Sequence, residues 1–94
     1  MSNLYNPQLD TFLCVAEAGS FSKAAEKMYI TPTAVIKQIN LLEGNLGVML
    51  FTRSHRGLTL TEAGRAFLQD ARHIAQYCRK AADNARKAAQ KDTM

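Results

Sequence analysis

The sequence predicts a mainly α fold of three short helices and a small β-hairpin, followed by one long helix. Three observations carry that prediction. Apolar residues recur at helical spacing through the first half of the chain, punctuated by Pro7, Gly19, Pro32 and Gly47. The period then breaks into two short runs around "SHRG". After Thr61 the helical period resumes and no further proline occurs.

Pro7 suits a first helical position, and Leu9, Phe12, Leu13 and Ala16 lie on one helical face. Gly19 offers that first helix a stop. Ser20 or Ser22 can cap a second helix, in which Phe21, Ala24, Ala25 and Met28 repeat the pattern. Only Tyr29 and Ile30 separate it from Thr31, a good N-cap, and Pro32, the residue best tolerated at N1. The third helix therefore starts almost at once, with Val35, Ile39, Leu42 and Leu46 as its inward stripe and Gly47 as its terminator. Helices joined by so tight a turn must cross at a large angle, which is a helix-turn-helix arrangement. Met49 to Arg53 and Leu58 to Leu60 then read as two strands of a hairpin, with Arg53, His55 and Arg56 near its tip. Helix, turn, helix and hairpin together make a winged helix-turn-helix.

Thr61 is another N-cap, and Glu62 after it complements the helix dipole. A helix from there to about Lys91 is roughly 45 Å long at ~1.5 Å per residue, too long to pack wholly against so small a domain. Its positions Phe67, Ala71, Ile74, Cys78, Ala81, Ala85 and Ala88 alternate spacings of 4 and 3, a heptad seam widened by Leu68, Ala75, Ala82 and Ala89. An alanine-rich seam lets two helix axes approach closely, so homodimerisation through this helix is expected. The organisation is then residues 1–60 as the winged domain and 61–94 as a linker and dimerisation helix.

Composition excludes several classes of protein. A chain that is 47% hydrophobic and 21% charged, with two prolines and five glycines, is neither disordered nor fibrous. Cys14 and Cys78 show no ligand or disulfide spacing, so free thiols and a cytoplasmic location are expected. "MSNLYNPQ" lacks the basic start and apolar run of a signal peptide, and no stretch approaches the roughly 20 apolar residues that span a bilayer. His55 and His73 are far apart, and there is no glycine-rich phosphate loop and no nucleophile elbow. No catalytic residue, metal site or cofactor is expected.

The net charge of +4 is uneven: Lys23, Lys27 and Lys37 face four acids in residues 1–52, whereas residues 53–94 carry nine Lys or Arg against four acids. A polyanionic partner fits that imbalance. Opposite the inward stripe of the third helix lie Thr33, Ile36, Lys37, Asn40 and Gly44. A helix fits the major groove of DNA, where Lys37 can meet a guanine edge or a phosphate and Asn40 can pair with adenine. Ile36 has no hydrogen bond to give, and the groove chemistry that suits it is contact with a thymine methyl. Spacing alone equally permits Ile36 to pack against the first helix or the hairpin, and Lys37 and Asn40 to be a solvated face. Ser22 and Thr31 stand near helix N-termini that favour phosphate, His55 on the hairpin is a phosphate-contact candidate, and Arg56 at the tip can enter an adjacent minor groove.

The segments "GSFSKAAEKM", "AVIKQINLLE", "LGVMLFTR" and "LTLTEAG" resemble the N-terminal DNA-binding domain of bacterial LysR-type transcriptional regulators. The resemblance runs without a gap from residue 8 to about 68 and continues more loosely through the long helix, which looks like that family's linker helix. It implies a winged helix-turn-helix that binds imperfect inverted repeats of double-stranded DNA as a homodimer, with higher oligomers in full-length proteins. It also implies a larger C-terminal domain that senses a small-molecule effector and that this chain does not contain, so an excised or truncated chain is expected. On this resemblance Thr31 stands where serine is usual, Pro32 lies at the leading edge of the recognition helix, and Thr33 and Ile36 take groove-facing positions. Lys37 replaces a commoner arginine, and Arg53 and Arg56 match the wing. Ile36 stands where serine is commonest and Gly44 where glutamate is usual, so operator preference does not transfer from relatives.

Two other readings remain compatible with the residues. One is a protein-interaction module, in which the heptad helix binds a partner and the helix-turn-helix is scaffold. The other is a winged-helix regulator of a different type, such as the molybdate-responsive one. Preference for one duplex over random sequence separates the first from a regulator.

Overall fold

The structure, a computed structural model, describes residues 7–92, with the side chain of Asp92 excepted. The stretch read for a signal peptide falls mainly on residues 1–6, outside the described residues, as do residues 93–94. Five helices and strands of the small domain follow in order: α1 (Pro7–Ala18), α2 (Phe21–Met28), α3 (Pro32–Leu46), β1 (Phe51–Ser54) and β2 (Gly57–Leu60). The sixth element is α4 (Glu62–Asp92).

Local chemistry explains most of these boundaries. Ser20, not Ser22, caps α2: its hydroxyl accepts from the Lys23 N–H at 3.0 Å. Tyr29 ends α2 in the left-handed region at φ 58°, and the N–H groups of Tyr29 and Ile30 return to the Glu26 and Ala25 carbonyls. The Thr31 hydroxyl accepts from Ala34 N–H at 3.1 Å with Pro32 just inside the helix, and Gly47 closes α3 at φ 75°. Thr61 closes the gap between wing and α4, its hydroxyl accepting from Gly64 N–H at 2.9 Å and donating to the Met49 carbonyl at 2.7 Å.

One core joins α1, α2, α3, the start of the hairpin and the first turns of α4. Phe12, Val15, Val35, Ile39 and Leu50 are fully enclosed. Phe12 sits at the centre, its ring 5.4 Å from that of Phe51 and 5.1 Å from that of Phe67 in an edge-on contact. The hairpin pairs Phe51 with Leu60 and Arg53 with Leu58, leaving His55 and Arg56 as a two-residue turn before Gly57. The first strand begins later than its hydrophobic run suggests. Leu50 is drawn into the core, while Met49, expected in the strand, is exposed and precedes it.

One inward assignment on α3 is corrected, and one buried residue was not expected. Leu46 is 43% exposed, whereas Glu43 is only 6% exposed and accepts from the N–H groups of Leu50 at 2.7 Å and Phe51 at 3.3 Å. A carboxylate with two backbone donors is satisfied inside, while Leu46 in the last turn of α3 meets solvent. Gly44 is exposed and open space surrounds the place of a Cβ. Gly44→Ala should therefore stabilise the chain by about 0.5–1 kcal/mol, seen as a raised melting temperature. The long helix extends past the core, and the molecule measures 59 × 27 × 20 Å.

Candidate nucleic-acid interface

The outward face of α3 is built by its cap and its core stripe. With Val35, Ile39 and Leu42 buried, Thr33, Lys37, Asn40 and Gly44 are exposed on the other side. Ile36 lies among them half-buried, so part of its surface is covered and part is offered outward. Thr31 and Pro32 are exposed at the leading end of α3, and the Thr31 hydroxyl keeps its own proton while capping. Ser22 is exposed in the first turn of α2, free of the capping role that Ser20 takes.

Two polar links hold the wing against α3. Glu43 grips the backbone at Leu50 and Phe51, as described above. Asn40 Oδ1 accepts from Arg53 Nη2 at 3.0 Å, and the same guanidinium lies 5.0 Å from the centroid of the Phe21 ring. Strand alternation explains this placement. Arg53 is two residues from Phe51 on β1, so both side chains fall on the face of the hairpin turned toward the helices. Arg53 lies one rung below the Ser54–Gly57 pair that closes the turn, near the tip as expected, and it is exposed but tied to α2 and α3. His55 and Arg56 occupy the tip, both exposed, where Arg56 N–H donates to Ser54 Oγ at 3.2 Å and its side chain is left to reach outward.

The heptad seam of α4 divides into two surfaces. Ala71 is fully enclosed in the chain's own core, so it has no surface left for a second copy, and Phe67 is half-buried edge-on against Phe12. These two belong to the α1–α4 packing, with Ala75 also buried. The same stripe continues outward beyond the domain: Ile74 is 43% exposed, Cys78 is half-buried, and Ala81, Ala85 and Ala88 are exposed. Tyr77, 71% exposed, borders that second part, and His73, Ile74, Tyr77 and Cys78 rim an open depression. A constant sequence period thus serves the core first and free surface afterwards, because burial against the globular part ends near Ala75, a little short of half-way along the helix.

Both cysteines are free thiols. Burial pushes the Cys14 thiol up, an effect that Lys27 opposes and that Glu17 and Asp10 reinforce, and its Sγ lies 3.8 Å from the Ala24 carbonyl. Such a thiol stays protonated and is a poor nucleophile. No group of three or more possible metal-ligating side chains occurs among the described residues, and no helix there is long and apolar enough to cross a membrane.

Sequence reasoning missed Glu43 and the Asn40–Arg53 link. Glu43 left a signal: it is four residues after Ile39 and eight after Val35, on the buried stripe, where a carboxylate demands donors. Nothing in the sequence marks the second link, which joins residues on different elements.

An exposed helix that follows a tight helix–helix turn, with a two-stranded wing tied to its side, defines a winged helix-turn-helix protein. The chain belongs to the lysR family of bacterial regulatory helix-turn-helix proteins, whose pattern matches residues 7–65. It is 45% identical over 85 residues to the HTH-type transcriptional regulator TcbR of Pseudomonas sp. (strain P51), which covers 90% of this chain and 29% of TcbR. Its fold is similar to the crystal structure of the CbnR DBD–DNA complex, with a TM-score of 0.85, 44% identity, and coverage of 88% of this chain and 95% of that one. The BenM DBD/catB site 1 DNA complex is similar at a TM-score of 0.87 and 30% identity, covering 90% of this chain and 91% of that one. The chain spans less than a third of the length of the transcriptional regulators it matches, 29% in the case of TcbR. The family and the fold class expected from the sequence are both borne out.

Proposed function

We propose that this chain is the DNA-binding domain of a transcriptional regulator, that α3 enters a major groove, and that Arg56 approaches the flanking minor groove. The observation that carries the proposal is the outward stripe of Thr33, Ile36, Lys37 and Asn40 beside a wing tip that presents His55 and Arg56. Relatives similar over almost the whole of this chain are in complex with DNA, which supports the assignment. In this reading Lys37 meets a guanine edge or phosphate, the outer surface of half-buried Ile36 meets a thymine methyl, and Ser22, Thr31, Pro32, Thr33 and His55 border the backbone. The free stripe of α4 from Ile74 to Ala88 pairs two copies, which places two recognition helices at half-sites about one or a few helical turns apart.

The test is selection of bound duplexes from a random pool at stated salt. An inverted repeat is expected. A single half-site would overturn the pairing through α4, and no enrichment would leave α4 as a protein-interaction helix on an unused scaffold. Against the selected duplex, Lys37→Ala and Arg56→Ala should each weaken binding by about 1–3 kcal/mol. Wild-type affinity in both variants would remove these residues from the interface.

A further inference from the structure

We propose that Arg53 is a positioning residue of the wing: bound to Asn40 and Phe21, it fixes the hairpin tip relative to α3 and so sets where Arg56 reaches the duplex. The inference rests on the reading of α3 as the groove-facing helix and of Arg56 as its minor-groove partner. It takes Arg53 from contacting DNA to aiming the residue that does.

A two-stranded hairpin has little rigidity of its own and depends on what packs against it. The base of this one is fixed by burial, since Phe51 is enclosed and its N–H donates to Glu43. Beyond Phe51 every residue of β1 is exposed, while Leu58, the cross-strand partner of Arg53, is half-buried against the core. Apolar packing at Leu58 holds that rung down but has no preferred direction. Direction comes from Arg53. Its Nη2 donates to Asn40 Oδ1 on α3 at 3.0 Å, and its guanidinium carbon lies 5.0 Å from the ring centroid of Phe21 on α2. That ring stands edge-on to Phe51 at 6.3 Å, so the tie is anchored in the core. One planar group with five donors thus joins the strand to both helices of the helix-turn-helix.

The tip follows directly from this rung. Arg53 is one pair below Ser54 and Gly57, and His55 and Arg56 form the turn above them. Arg56 N–H donates to Ser54 Oγ, so the turn is closed on itself and carries the orientation of the rung beneath it. A tip already held in place loses less conformational freedom when it meets a partner. The tie also leaves Asn40 its groove chemistry, because a single donor on Oδ1 leaves the second lone pair and the NH2 group for a base.

Wild type, Arg53→Met, Arg56→Ala and the double variant are compared on the duplex that wild type selects, at one salt concentration and well below each melting temperature. Phe21→Leu is added as a variant that weakens the tie from outside the groove-facing set. Arg53→Met keeps an apolar stem and loses the guanidinium. It should weaken binding by about fivefold, and Arg56→Ala, which should weaken wild type by about fivefold or more, should cost less than about twofold in the Arg53→Met background. Phe21→Leu should weaken binding by about twofold and diminish the Arg56→Ala effect in the same sense. In the free protein, backbone order parameters of His55, Arg56 and Gly57 from NMR relaxation should fall in Arg53→Met from about 0.85 toward about 0.6. A full Arg56→Ala effect in the Arg53→Met background overturns the proposal. With a salt dependence shallower by about one counterion that result makes Arg53 an independent phosphate ligand, and with an unchanged one it confines Arg53 to Asn40. Unchanged order parameters at the tip overturn it as well. Wild-type binding by Arg56→Ala alone removes the minor-groove reading and with it this role of Arg53, and that failure is told apart because it appears with position 53 intact.

Discussion

Glu43→Ala should lower the stability of the folded chain by about 3 kcal/mol. The side chain is 6% exposed and one of its oxygens accepts from both Leu50 N–H and Phe51 N–H. Removing it leaves two backbone donors, on residues 0% and 3% exposed, without a partner. Each such orphan costs about 1–3 kcal/mol, offset in part by alanine's better helix propensity and by the carboxylate's desolvation no longer being required. For a domain of this size the loss corresponds to a melting temperature lower by roughly 15 °C, measured by circular dichroism at fixed protein concentration. Glu43→Gln keeps an acceptor and loses only the charge, so its loss should be about 1 kcal/mol. Equal melting of Glu43→Ala and wild type would show that water or a shifted backbone replaces the carboxylate.

Gly64→Ala should destabilise by about 2–3 kcal/mol, although alanine is the better helix former by roughly 1 kcal/mol. A Cβ at position 64 would sit 2.1 Å from the Leu50 carbonyl oxygen and 2.9 Å from Leu60 Cδ2. The first of these is backbone and cannot swing away. It is also pinned from both sides, since the Leu50 carbonyl accepts from Thr61 N–H at 3.0 Å and the Leu50 N–H is held by Glu43. The two substitutions should therefore be non-additive. Once Glu43→Ala releases the backbone at Leu50, the Cβ at 64 can be accommodated, and the double variant should be more stable than the sum of the single losses predicts by about 1 kcal/mol. Strict additivity would show that Leu50 is held by its own burial and not by the carboxylate.

Much of the architecture was legible because its signals are local. A hydroxyl that caps a helix meets an N–H three residues on, and the assignments of Thr31 and Thr61 follow from that reach. Pro7, Pro32, Gly19 and Gly47 mark ends through their own dihedral preferences, and the four residues "SHRG" carry the turn of the hairpin. Where two candidates stood side by side, as with Ser20 and Ser22, the local rule named the type of residue and the packed chain selected one. The exposed positions of α3 were legible too, since once Val35, Ile39 and Leu42 face inward the remainder of the helix surface is determined by its period.

The sequence by itself determined the order of helices and hairpin, the caps that bound them and the outward stripe of α3, since each depends on residues within about one helical turn of one another. Only the tertiary structure decided which part of the α4 stripe is core and which is free, that Glu43 lies inside while Leu46 meets solvent, and that Arg53 grips Asn40. Those outcomes depend on where a second element arrives. Ala71 is buried because α1 brings Phe12 beside Phe67, and Glu43 is satisfied because the chain returns at Leu50 with two N–H groups to offer. Periodicity states that a face is apolar or polar; the element that packs against it settles which side chains it encloses and which hydrogen bonds it completes.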